Sequence, residues 1–292
     1  MPIDVDAVVG KEFEPSEGEY SRRDVILYAL GLGVGVDESA LSPEVLQYTY
    51  EGFKPGFYAV PTFGVIPVFS TLAGTFSLPG FDVNPMMILH GEQYLEILCD
   101  EIPVEAKIVT QSRVKGVYDK GKGALIAVEA VTSDKATGKE LFKNEFGIFA
   151  RGEGGFGGEA GPPAGNDAPD RAPDASFETP TTEQQAILYR LSGDWNPLHI
   201  DPEWTQFGGL DRPILHGLCT FGNVGRAVVA AMCDNDPRRF RSIKARFSAS
   251  VMPGETIITD MWKESDTDII VSARLKERDA TVVKNARVTI TA

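Results

Sequence analysis

The stretch Leu188-Tyr189-Arg190-Leu191-Ser192-Gly193-Asp194-Trp195-Asn196-Pro197-Leu198-His199 opens on a pattern already present in the first half as Leu27-Tyr28-Ala29-Leu30-Gly31. Two more echoes follow in the same order. Ile102-Pro103-Val104-Glu105-Ala106-Lys107-Ile108 returns as Met252-Pro253-Gly254-Glu255-Thr256-Ile257, and Phe142-Lys143-Asn144-Glu145-Phe146 as Val283-Lys284-Asn285-Ala286-Arg287. Three ordered matches in 292 residues indicate an internal duplication, so the fold is two copies of one module. Each copy then has roughly 145 residues, an ordinary domain size.

Each copy starts helical and finishes in strands. Apolar spacing predicts helices over 24–32 and 182–191, with Ser21 and either Thr181 or Thr182 as N-caps. An apolar helix is expected over 218–232, needing burial on most of its surface. Alternating β-branched runs predict strands over 92–99, 105–117, 124–132 and 139–150, and again over 242–251, 256–263, 268–276 and 281–291. Strands following helices without strict βαβ alternation indicate an α+β fold with a mainly antiparallel sheet curved around a central helix. Between the copies, residues 151–174 carry Gly154-Gly155-Phe156-Gly157-Gly158 and then Pro162, Pro163, Pro169 and Pro173, the composition of a linker. The expected division is 1–150, a linker over 151–175, and 176–292. Gly152, Gly154 and Gly157 match GxGxxG formally, but Pro-rich chain follows where a nucleotide loop requires a helix.

A net charge of −14 opposes nucleic-acid binding, which needs a basic face. Cys99, Cys219 and Cys233 are odd in number and far apart, as expected of reduced, buried thiols. Met1 to Glu14 lacks the cationic start and apolar run of a secretory signal, and no stretch is apolar enough to span a bilayer, so no membrane insertion is expected. The chain ends Ile290-Thr291-Ala292, which is not a Ser-Lys-Leu tripeptide, and leaves the compartment open.

Asp194 and His199 lie on either side of Pro197, which bars a continuous helix and forces a turn. A carboxylate and an imidazole brought together can hold a water and pass protons near neutral pH. The corresponding Leu32-Gly33-Val34-Gly35-Val36-Asp37 of the first copy offers no His. Singly, Asp194 and Asn196 are ordinary turn residues and His199 an ordinary core residue; the combination points to a site. A metal centre is not expected, because the chain has few His and neither HExxH nor a Cys pair. Further on, Arg212-Pro213-Ile214-Leu215-His216-Gly217-Leu218 places Gly217 where the apolar helix begins. Free N–H donors there suit a thioester oxygen becoming an enolate oxyanion, although glycine is also common at helix starts. His216 is read as a supporting or core residue. Lys120 and Lys122 are two cations near a hairpin tip, ordinarily solvated, but informative in so acidic a chain.

The run Tyr189 to His199 resembles the signature of hydratase 2, the (R)-specific 2-enoyl-CoA hydratases of the MaoC-like hot-dog group. The likeness spans essentially the whole chain, including the glycine-rich linker and both Leu-His-Gly motifs, Leu89-His90-Gly91 and Leu215-His216-Gly217. Within the group it resembles the hydratase 2 module of peroxisomal multifunctional enzymes of type 2. That module lies beside a dehydrogenase, so this chain is expected to be free-standing or part of a longer enzyme. The resemblance implies a double hot-dog fold whose first half has lost the catalytic motif but helps house an acyl tail. It implies reversible hydration of trans-2-enoyl-CoA to (3R)-3-hydroxyacyl-CoA in β-oxidation. Asp194 and His199 would be the catalytic pair, Asn196 their orienting residue and Gly217 the oxyanion donor. His90, Gly91, Lys120 and Phe247 match positions that contact the acyl-CoA, and Glu51, in Tyr50-Glu51-Gly52, matches one of functional importance or is a structural carboxylate in a turn. The resemblance also implies a homodimer, a peroxisomal location and no cofactor, CoA being part of the substrate. Alternatives compatible with the same residues are a hot-dog acyl-CoA thioesterase, a dehydratase acting on carrier-protein substrates, and a non-catalytic acyl-CoA binding module.

Overall fold

The computed structural model describes residues 3–69, 71, 80–84, 87–207 and 210–292. Ten strands form one sheet: β1 (Ser16–Tyr20), β2 (Ile88–Ile97), β3 (Ala106–Asp119), β4 (Gly123–Asp134), β5 (Glu140–Arg151), β6 (Ala175–Pro180), β7 (Phe240–Phe247), β8 (Thr256–Lys263), β9 (Asp268–Leu275) and β10 (Thr281–Ile290). Their order is β1-β3-β4-β5-β2-β7-β10-β9-β8-β6, and every neighbouring pair is antiparallel. The first five strands come from one copy of the repeat and the last five from the other. They meet where β2 pairs with β7, from Glu92 opposite Arg246 to Glu96 opposite Ser242.

Alternation along β3 shows why these residues make strands: Ile108, Thr110, Ser112 and Val114 are buried, while the residues between them are half-buried or exposed. The helix Gly217–Met232 is buried at every position except Gly217, Arg226, Ala230 and Ala231. It packs against β6, β7 and β8 and against the 3-10 helix Pro61–Val68 of the first copy. Fully burying side chains such as Phe221 and Val224 stabilises the fold by about 1.5–3 kcal/mol each. The main core draws on both copies, joining Tyr28, Phe63 and Phe142 to Tyr189, Phe221 and Phe240. The arrangement is a double hot-dog.

The echoing helices also meet. Arg22–Gly31 packs on Gln185–Tyr189, with the Tyr28 and Tyr189 rings 5.9 Å apart. Ser21 caps the first as expected, its N–H and hydroxyl donating to Asp24 at 2.9 and 2.6 Å. The second is shorter than the expected 182–191, continuing as the 3-10 turn Arg190–Ser192. Neither Thr181 nor Thr182 caps it: the Thr181 hydroxyl donates to Glu255 O and Thr182 N–H to the Gln185 side chain. A tertiary partner takes Thr181, while Thr182 bonds locally to a side chain three residues on. Strand β2 begins at Ile88 rather than 92, and β7 stops at Phe247 rather than 251. β1 and β6 escape the sequence reading, being short edge strands of mixed polarity. The two halves join edge to edge within one chain through β2 and β7. The outer edges of the sheet carry Glu17 and Glu19 on β1 and Pro180 on β6, residues that discourage further pairing.

Candidate active site

The turn that follows the helix pair is built by its own side chains. Gly193 adopts a φ of 125°, closed to most side chains, and ends the 3-10 turn. Asp194 Oδ1 then accepts the Asn196 N–H at 3.2 Å, and Asn196 Oδ1 accepts the Leu198 N–H at 3.0 Å, capping the 3-10 turn Pro197–His199. The turn roles of Asp194 and Asn196 are therefore real, and they coexist with a second use. Asp194 Oδ2 remains to face His199 Nε2 at 3.9 Å. A water about 2.8 Å from both atoms would be held at an angle of roughly 90°.

His199 is buried, and its Nδ1 lies 2.9 Å from Ile214 O. A carbonyl only accepts, so Nδ1 carries the hydrogen and Nε2 presents its lone pair toward Asp194. Burial lowers the His199 pKa against the pull of the Asp194 carboxylate, which favours that neutral form. Beneath it, His216 is wholly buried and stacked, with ring centroids 3.7 Å apart and planes at 28°. His216 Nε2 donates to Asp194 O at 3.3 Å, while its Nδ1 has no partner among the described residues. Burial first, then neighbouring His199, brings its pKa down to about 2.

Asp194, Asn196 and His199 line a cavity of ≈ 600 Å³. Its walls come from both copies, with Leu89, Leu125 and Phe149 from the first and Leu198, Leu215 and Val251 from the second. His90, Gly91, Lys120, Gly217 and Phe247 line it too. Gly91 is the extra residue of a bulge, since the β2–β5 register shifts between His90 and Glu92. The His90 and Phe247 rings meet edge to face at 5.3 Å, and burial lowers the His90 pKa as well. Gly217 opens the central helix; its N–H has no acceptor among the described residues, and a Cβ there would project to 3.7 Å from the Phe247 ring. Glu51 is not brought to the cavity. It is exposed in the tight turn where Phe53 N–H bonds to Tyr50 O, the position of a structural carboxylate. Of the two tip lysines, only Lys120 lines the cavity.

Two features escaped the sequence reading. His216, read as a supporting or core residue, stacks on His199, so that all three histidines of the chain gather at this site with His90. Asp194, His199 and His216 also each offer a ligand atom within 4.8 Å of one another, a three-donor group that a search for HExxH or Cys pairs does not anticipate. The stacked rings already spend His199 Nδ1 on Ile214 and His216 Nε2 on Asp194.

A family model described as the MFE-2 hydratase 2 N-terminal domain matches residues 19–152, and one described as a MaoC like domain matches 165–286. A probable enoyl-CoA hydratase 2 from Dictyostelium discoideum is 47% identical over 298 residues, covering 99% of this chain and 97% of that protein. The chain belongs to the MaoC-like hydratase 2 family. The peroxisomal multifunctional enzyme type 2 of Mus musculus is 40% identical over 286 residues, which are 96% of this chain and 38% of that longer protein. Among solved structures, a MaoC-like dehydratase from Phytophthora capsici superposes with a TM-score of 0.87 at 37% identity, covering 99% of this chain and 98% of that one.

The duplication also relates this cavity to a second position on the sheet. Tyr94 and its partner Lys244 are 150 positions apart, as are the echoing Pro103 and Pro253, so a pseudo-twofold axis passes through the β2–β7 ladder. It carries His90 onto Phe240, Gly91 onto Arg241 and Phe247 onto Ile97. The counterpart of the large cavity is thus the space lined by Tyr58, Ile97, Asp100, Arg238, Phe240 and Arg241, which measures only ≈ 20 Å³. Arg238 stacks 5.3 Å over Tyr58, and Arg241 reaches Cys99 O at 2.8 Å. The second site is filled, not merely stripped of its His.

Proposed function

We propose that this chain reversibly hydrates trans-2-enoyl-CoA to (3R)-3-hydroxyacyl-CoA, as a hydro-lyase of the hydratase 2 type. The observation that carries the reading is the Asp194–His199 pair, 3.9 Å apart on the wall of a largely apolar cavity that also holds the Gly217 N–H. In the proposed step one water sits between Asp194 Oδ2 and His199 Nε2. Its oxygen bonds to C3 as the Asp194–His199 pair takes one of its protons, the C2=C3 π electrons move to leave an enolate on the thioester oxygen stabilised by the Gly217 N–H, and the enolate collapses as the pair passes that proton to C2. Asn196 holds the turn. His90, Gly91 and Phe247 shape the cavity around the thioester, and Lys120 offers a cation to the CoA phosphates. The reaction consumes only water and the thioester, so no cofactor is assigned.

The assignment to β-oxidation, the homodimer and the peroxisome belong to the same reading, and the name of a relative such as the mouse enzyme supports the peroxisome. No helix among the described residues is long and apolar enough to cross a membrane. The test is loss of enoyl-thioester absorbance over several acyl lengths, with chiral analysis of the product. A (3R) product that disappears with Asp194→Ala is expected. Release of free CoA thiol instead, or near-normal turnover by the folded variant, overturns the reading.

A further inference from the structure

The tip of the β3–β4 hairpin, Asp119-Lys120-Gly121-Lys122-Gly123, is gripped by the glycine-rich segment that follows β5. The Asp119 carboxylate accepts the N–H groups of Gly121, Gly155 and Gly157, each at 2.8 Å. Its own N–H donates to Glu159 O at 2.8 Å, and Gly152 N–H donates to Lys122 O at 2.9 Å. A Cβ at Gly154 would fall 2.5 Å from both Gly121 O and Gly123 N, so the two backbones touch only because that residue is glycine. The Gly155 and Gly121 N–H groups hold the Asp119 carboxyl below the usual carboxylate range, as expected for an anion ringed by donors. Phe156 fastens the same segment to the smaller core of the first half.

This architecture sets down one charge. Lys120 is half-buried, lines the active-site cavity and donates to Ala160 O at the far end of the gripping segment. The other lysine or arginine lining that cavity, Arg246, is matched by Glu92. Among the described residues lining the cavity, Lys120 is thus the ammonium or guanidinium without a carboxylate partner. A lysine on a free hairpin tip samples many rotamers and loses that freedom on binding an anion. A tip held in place lowers the cost.

We propose that Asp119 is a positioning residue for substrate: with Gly154, Gly155 and Gly157 it clasps the hairpin so that Lys120 is held ready for a phosphate of the CoA moiety, exchanging Ala160 O for a phosphate oxygen. The proposal rests on the reading of Lys120 as an acyl-CoA contact. The experiment compares steady-state hydration of an enoyl-CoA with that of the matching enoyl-pantetheine thioester, which lacks the phosphates, for the wild type, Lys120→Ala, Asp119→Ala, Gly154→Ala and the Lys120/Asp119 double variant. Lys120→Ala is expected to raise the ratio of the two KM values about tenfold, the scale of one charge-assisted contact. Asp119→Ala and Gly154→Ala should reproduce most of that rise, with kcat for the CoA thioester changed less than KM. The double variant should be no worse than Lys120→Ala alone, because a clasp with nothing to hold has no further effect. Should one variant fold poorly, Asp119→Asn, which keeps one acceptor oxygen, should give a smaller rise in the same ratio. A rise with Lys120→Ala but none with the folded Asp119 variants overturns the clasp and leaves the Lys120 contact standing. Equal losses on both substrates, or additive losses in the double variant, make Asp119 merely structural and overturn it too. No change in the ratio with Lys120→Ala overturns both.

Discussion

His216 lies flat beneath His199, with ring centroids 3.7 Å apart, and donates to the backbone oxygen of Asp194 at 3.3 Å. One buried ring therefore steadies both members of the pair that faces the cavity. Replacing it with Ala should leave a void under His199 and free the Asp194 turn. We expect kcat to fall between about tenfold and 10²-fold, the cost of a small misplacement of reacting groups, with less change in KM. His216→Phe restores a stacked ring without the donor and should recover part of the loss. Equal kcat for the Ala variant and the wild type would refute the positioning role.

Asp194→Asn separates charge from geometry. The amide oxygen still accepts the Asn196 N–H, so the turn should persist and the melting temperature should stay within a few degrees of the wild type. The carboxylate opposite His199 Nε2 is gone, and kcat should drop by about 10²–10⁴-fold, the range for loss of a positioned acid–base group. Turnover within tenfold of the wild type would remove Asp194 from the chemistry.

Stability should decline with acid. His216 has its pKa brought down from 6.5 to about 2 by burial, and His199 is lowered in the same direction. Between about pH 6.5 and the folded-state value, the unfolded chain binds a proton that the folded chain refuses. The stabilisation is fully present above that upper limit and is lost as pH falls, at up to about 1.4 kcal/mol per pH unit for each such histidine. Denaturant unfolding at pH 7.5 and 5.5 measures it. His216→Phe, which cannot titrate, should show the smaller difference; identical differences would contradict the assignment.

Close packing between the halves makes a fourth position sensitive. A Cβ at Gly222 of the central helix would lie 2.4 Å from Leu32 Cδ2 and 2.9 Å from the Tyr28 hydroxyl, and both neighbours are wholly buried. Helix propensity alone favours alanine there by roughly 1 kcal/mol. We expect the opposite outcome, because overpacking a dense core costs about 1–3 kcal/mol. Gly222→Ala should melt several degrees lower, and an unchanged or higher melting temperature would show that the two halves yield.

The duplication, the strand-rich architecture, the apolar central helix and the Asp194-Trp195-Asn196-Pro197-Leu198-His199 turn were legible in the chain itself. Each depends on local pattern: period-two alternation, helical spacing, or a proline that forces a bend within six residues. Edge strands β1 and β6 were not legible, since short mixed segments acquire their conformation from the strand beside them. Thr181 and Thr182 look like caps, yet their side chains and N–H groups are taken by Glu255 and Gln185. Glu51 looks functional by pattern and lies outside the cavity.

Asp194 and His199 share a turn on local chemistry alone, because Pro197 and the side-chain bonds of Asp194 and Asn196 act over a few residues. What that turn faces follows from long-range packing. Pairing of β2 with β7 sets His90 and Gly91 of the first half across from Phe247, packing within the second half lays His216 beneath His199, and the cavity they border is open while its symmetric twin is filled by Arg238 and Tyr58. Apart from the His199–His216 stack, those relationships join residues of different halves, far apart in the chain, and only packing of the two halves brings them within contact distance.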